Sequence, residues 1–210
     1  MTNHARAERL ALCTTFERVG AHAPTLCAGW DTGDLAAHLV IREGRPDVLV
    51  AQLVPALSRH AQSLQHKVSD RSFADLVGSV RSGPPLWHPT RLSAVDEVVN
   101  TAEFFVHHED VRRAQPSWTP RPIADDLQRA LWRVCTVVGR LALRKAEVGV
   151  EFVAPGYGRV MVRKGQPLVR VEGPPAELTL FAFGRREVAQ VQLEGPDVAV
   201  AALRAARSAI

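Results

Sequence analysis

The chain has 210 residues, 46% hydrophobic and 23% charged, which supplies a real core and excludes a disordered chain. The length suits one large domain or two modest ones, and no run of about 18 apolar residues is present to span a bilayer. The net charge of +4 rests on arginine, since Lys67, Lys145 and Lys164 are the only lysines among 26 basic residues; the arginines are scattered, with short pairs at Arg112-Arg113 and Arg185-Arg186, and form no dense arm for nucleic acid.

The first residues, MTNHARAERLAL, lack the apolar stretch of a signal peptide, so a cytoplasmic protein is expected. Ala7, Leu10, Ala11 and Thr14 open an amphipathic helix that ends near Gly20. After a loop with Pro24, Gly29 and Trp30, Asp31 or Thr32 is placed to cap a helix carrying Leu35, Ala36, Leu39 and Val40, interrupted by Gly44 and Pro46. A further helical stretch is expected over 53–67. Ser72 with Asp75 resembles a capping box and opens a helix to about Arg81. The segment SGPPLWHP (82–89) is a loop, in which Trp87 and His88 suit a pocket wall or lid, with a core anchor as the other reading of Trp87.

Two long helices follow, over 93–114 and 123–146, separated by Pro116, Pro120 and Pro122. After Glu147 the period changes from helical to two. Val148, Val150 and Phe152 alternate, as do Val160 and Val162, and Val169 and Val171, with turns at Pro155-Gly156, Gly165 and Gly173-Pro174. A helix over 175–183, a strand over 188–193 and a helix over 196–207 complete the chain. The expected architecture is a helical bundle (1–147) followed by a small α+β domain (148–210).

Cys13, Cys27 and Cys135 are too widely spaced for a disulfide framework or a metal knuckle. They are read as buried, reduced thiols, so any working thiol is expected to arrive with a cofactor. The unusual local pattern lies in the helix 93–114. Val95, Val99, Glu103, His107 and Val111 recur every four residues and share one stripe. Three valines make the stripe core-facing, and burying an acid and an imidazole there without partners would cost several kcal/mol. Either Glu103 and His107 pair with each other or an arginine, or they hold a divalent metal, because Glu and His one turn apart point the same way. His38, on the helix that buries Leu39, is either a satisfied core histidine or a third ligand. Two imidazoles and a carboxylate suit a catalytic metal with one position open.

The segments WDTGDLAAHLVIRE (30–43) and NTAEFFVHHEDVRRA (100–114) resemble the actinobacterial branch of the DinB-like metalloprotein superfamily, and in particular the mycothiol-dependent maleylpyruvate isomerase family; GPPAELTLFAFGR (173–185) resembles that family's second domain. The resemblance implies an N-terminal DinB-like four-helix bundle with a small C-terminal α+β domain. It implies a metal held by His38, Glu103 and His107: zinc by ligand type, although nickel and iron also accept these donors. It further implies a mycothiol-dependent isomerase or transferase acting on an electrophilic or anionic small molecule, the metal activating a thiol or water. A non-catalytic metal-binding carrier or sensor of a small ligand is the alternative, and fold alone does not choose between them. His108, about 100° around the helix from His107, is either a partly exposed histidine or a proton-transfer group beside the metal. Glu109 and Asp110 are read as lying on a solvated or inter-helix face, with orientation of a ligand histidine as the second reading of Asp110. Arg42 and Arg81 are candidate donors to an anionic substrate or sugar thiol, a role that surface solubility explains equally well. No nucleic acid or membrane partner is expected.

Overall fold

The computed structural model describes residues 3–44, 71–83 and 94–206, and these form seven helices and one four-stranded sheet. None of these helices is long and apolar enough to cross a membrane. The chain divides into two compact units, Met1–Thr119 and Pro120–Ile210.

The first unit holds α1 (His4–Val19), α2 (Thr32–Gly44), α3 (Phe73–Ser82) and α4 (Ala94–Arg113). The starts of α1, α2 and α3 each have a local cause. The Asn3 side chain accepts from the Arg6 amide at 2.7 Å and so begins α1 a turn earlier than the apolar pattern suggests. Asp31 accepts from the Asp34 amide at 3.0 Å while Asp34 accepts from the Asp31 amide at 3.2 Å, a reciprocal cap at the head of α2. Ser72 caps α3 as its spacing to Asp75 predicts. Gly20 ends α1 at φ +82°, a conformation that glycine adopts without penalty.

Leu12, Cys13 and Phe16 of α1, Leu35, Ala36 and Leu39 of α2, Leu76, Val77 and Val80 of α3, and Phe104 and Val111 of α4 make one core. A buried polar tie crosses it: Arg9 forms a bidentate pair with Glu43, donates to the Val80 carbonyl at 2.8 Å, and lies 4.2 Å from the Phe104 ring centre. The helix expected over 53–67, the loop with Trp87 and His88, and the side chains of Val95 and Val99 lie outside the described residues.

In the second unit, α5 (Asp125–Ala142) is followed by β1 (Gly149–Ala154), β2 (Gly158–Arg163), β3 (Leu168–Glu172), α6 (Pro175–Ala182), β4 (Gln192–Glu194) and α7 (Asp197–Ala205). The sheet order is β2-β1-β3-β4, with β1 antiparallel to β2 and parallel to β3, and β3 antiparallel to β4. The alternation read from sequence sets its inner face: Val150, Phe152, Val169 and Val171 are fully buried.

The border expected near 147 marks the first strand, whereas the compact unit containing the sheet begins at Pro120. Helix α5, expected among the bundle helices, buries Leu131, Val134, Cys135 and Gly139 in this second unit. At Gly139 a methyl group would fall 2.8 Å from the Phe152 ring, so the missing side chain permits the close approach of helix to sheet. The strand expected over 188–193 is shorter, because the Arg185 carbonyl accepts the amides of Val188 and Ala189 and turns the chain until Gln192.

Candidate metal centre

Helix α4 carries Glu103, His107 and Asp110, spaced so that all three project toward α2 and the loop before it. Helix α2 contributes His38 and Arg42, which are also one turn apart. The loop between α1 and α2 contributes Cys27 and Trp30. Its position is fixed by the Leu26 amide, which donates to the Asp110 carbonyl at 3.1 Å, and by Gln115, which donates to the Pro24 carbonyl at 3.2 Å.

The sequence-predicted triad converges. One ligand atom from each of His38, Glu103 and His107 lies within 4.8 Å of the others. Glu103 Oε1 is 3.2 Å from His107 Nε2 and 3.9 Å from His38 Nε2. Donors about 2.0–2.2 Å from a tetrahedral cation are separated by roughly 3.3–3.6 Å, so this donor set fits a divalent metal with modest closure. The His38 ring is flanked by Trp30, with centroids 5.0 Å apart, and meets His107 edge-on at 5.6 Å.

Electrostatics hold the same groups together without a cation. Burial alone would raise the Glu103 carboxyl, but His107, the nearby His38 imidazole and the Arg42 charge outweigh it and hold Glu103 well below the usual carboxylate range. Burial alone would likewise lower His107. Asp110, Cys27 and Glu103 outweigh it, and the imidazole is held well above its ordinary value. His107 therefore donates from Nδ1 to Asp110 at 2.9 Å and from Nε2 to Glu103 at 3.2 Å.

The remaining candidates separate clearly. Asp110 is fully buried and orients His107. Arg42 Nε lies 3.1 Å from Glu103 Oε1, and its Nη1 donates to Asn100 at 2.7 Å, so it is engaged inside the cluster and not on the surface. His108 is 5% exposed and turns to α1, where Nδ1 meets Glu8 at 3.2 Å and Nε2 meets Thr15 at 3.0 Å; it does not join the triad. Glu109 is also fully buried, bonded to Arg112 at 2.9 Å and Arg113 at 2.7 Å, so of the solvated and inter-helix placements it does not take the solvated one. Arg81 pairs with Glu17 at 2.6 Å on an exposed surface and does not reach the cluster.

Cys27 is the participant that sequence reasoning missed. Its sulfur donates to Asp110 Oδ2 at 3.3 Å and lies 4.0 Å from His107 Nδ1, and the residue is half-buried, not sealed in the core. A lone cysteine 80 residues from its partner leaves no spacing to read. The hydrophobic loop around it gave no other sign.

No protein-family model and no curated protein matches the sequence. Among solved structures, the chain is similar to a point variant of the mycothiol-dependent maleylpyruvate isomerase, with a TM-score of 0.61 and 15% sequence identity over 91% of this chain and 90% of that one. At that identity the likeness establishes a shared fold, extending over nearly the whole of both chains.

Proposed function

We propose that the protein is a divalent-metal enzyme using a small-molecule thiol, mycothiol by likeness to its structural neighbour, in an isomerase or S-transfer reaction of the maleylpyruvate isomerase type. The observation that carries this reading is the approach of His38, Glu103 and His107, from two helices 65 residues apart in sequence, to within 4.8 Å of one another. A divalent cation held there, zinc by ligand preference, supplies Lewis-acid activation of a bound thiol or water at neutral pH.

The chain's own residues do the rest. With a cation bound, His38 and His107 would each offer one imidazole nitrogen and Glu103 the single carboxylate. Asp110 fixes the ring plane of His107 by accepting from Nδ1. Arg42 balances the Glu103 charge while no cation is present, and its planar guanidinium is suited to an anionic substrate once Glu103 is otherwise engaged. Trp30 packs against one side of His38, with ring centroids 5.0 Å apart.

The test combines metal analysis with turnover. Purified wild-type protein is expected to hold one equivalent of metal by mass spectrometry, His107→Ala is expected to lose it, and His38→Ala is expected to lose the metal-dependent turnover. Incubation with mycothiol and maleylpyruvate, or with other activated electrophiles, should then show metal-dependent conversion. Absence of stoichiometric metal after supplementation would overturn the ligand assignment. Metal without turnover across the thiol and electrophile panel would leave a ligand carrier or sensor.

A further inference from the structure

The imidazole of His107 presents a second face to the loop, and three donors of different chemistry meet there. Cys27 Sγ, Asp110 Oδ2 and His107 Nδ1 all lie within 4.8 Å of one another. Their separations are 3.3 Å for sulfur to oxygen, 4.0 Å for sulfur to nitrogen and 2.9 Å for nitrogen to oxygen. A tetrahedral cation with a bond of about 2.3 Å to sulfur and about 2.0–2.2 Å to nitrogen and oxygen spaces its donors by roughly 3.3–3.6 Å. The three observed edges bracket that range.

We propose that Cys27, Asp110 and Nδ1 of His107 form a second, thiolate-containing ligand set for a soft divalent cation such as zinc or cadmium. Charge favours it. Glu103 is the one anion of the His38 set and already faces Arg42, whereas the Cys27 set offers a carboxylate and a thiolate to match a divalent charge. Softness favours it too, since thiolate ligands select zinc-like and softer ions. The loop is built to hold the sulfur in place: Thr25 Oγ1 accepts the Cys27 amide at 3.1 Å, and Leu26 is tied to the Asp110 backbone. The other two thiols are unsuited, because burial pushes Cys13 up to about 11 and Cys135 up to about 12.

The two sets are alternatives that share one ring. With a cation on Nδ1, the proton on Nε2 remains to donate to Glu103; with a cation on Nε2, the proton on Nδ1 remains to donate to Asp110. Each state thus uses the other set's carboxylate as the outer acceptor of the bound histidine. Filling the Cys27 set releases the thiol proton and the Nδ1 proton to solvent as the cation binds. This assignment stands independently of the proposed isomerase chemistry.

Titration of the metal-free full-length protein with cobalt(II) tests it, because a cobalt–thiolate bond gives an intense near-ultraviolet charge-transfer band that nitrogen and oxygen ligands lack. The expected result is a band that saturates at one equivalent, is lost in Cys27→Ser and Asp110→Asn, and survives in His38→Ala. Cobalt bound without the band, retained in Cys27→Ser and lost in His38→Ala, would overturn the second set while leaving the His38 set standing. A band that survives Cys27→Ser would also overturn it. No cobalt bound at all would overturn both sets.

Discussion

Arg42 is the internal competitor of any cation on Glu103, and replacing it separates two effects that usually move together. Its Nε lies 3.1 Å from Glu103 Oε1, and the side chains are 15% and 20% exposed. At an effective dielectric of about 20 the bare attraction is about 5 kcal/mol. Partial solvation, together with the contact Glu103 keeps to His107, reduces the coupling to the low end of close charge pairs, about 1.5–2 kcal/mol. Arg42→Gln is therefore expected to lower the melting temperature of the metal-free protein by roughly 3–8 °C. The same coupling no longer opposes the cation, so zinc affinity at the His38 set should rise about ten- to thirty-fold. Arg42→Lys, which keeps the charge, should stay near wild type in affinity. Calorimetric titration with zinc in a Cys27→Ser background, which confines the cation to the His38 set, paired with differential scanning calorimetry, reads both quantities. Unchanged zinc affinity in Arg42→Gln would refute the reasoning, and would mean that zinc settles where Arg42 is not felt.

Because His107 is held above its ordinary value, metal uptake must displace a proton; apparent affinity should fall about tenfold per pH unit below that raised value, measured by chelator competition between about pH 6 and 8. In the metal-free protein, the stabilisation from His107 is complete below its unfolded value of 6.5 and is lost as pH rises through the folded value, while that from Glu103 is complete above 4.5 and is lost as pH falls, so these two groups together favour the folded state most between 4.5 and 6.5 in thermal melts. His108→Ala removes a buried imidazole bonded to Glu8 and Thr15 and should cost about 3 kcal/mol in urea unfolding with metal stoichiometry unchanged; Thr15→Val should cost about 1 kcal/mol. Gly139→Ala gains about 1 kcal/mol of helix propensity but drives a methyl to 2.8 Å from the fully buried Phe152, an overpacking cost of about 1–3 kcal/mol, so the melting temperature should fall; an increase would show that the sheet yields.

Local chemistry was the legible part of this fold. Asp31 and Ser72 cap helices because side-chain oxygens three residues from an amide can reach nowhere better. Glu103 and His107 could be paired from their spacing, since a helix fixes which residues share a face. The partner of a face is a different matter. Helix α5 shows the same apolar periodicity whether it packs on helices or on a sheet, and only Gly139, small where it meets Phe152, records the answer. Cys27 was invisible for a related reason: its neighbours come from a loop closure, which leaves no period. The outward reading of His108 failed because an amphipathic reading assumes one polar face, and α4 buries ionisable groups toward several partners.

That run, His107-His108-Glu109-Asp110, has no member more than 8% exposed, and successive residues point about 100° apart. Each binds something the others cannot satisfy: Glu103 beside His38, α1, the arginines at 112 and 113, and the Cys27 loop in turn. The helix therefore works like a key cut on all sides. A single substitution damages one tooth, whereas one inserted or deleted residue before 107 turns every tooth to the wrong ward at once. Such a helix tolerates a changed letter better than a changed length.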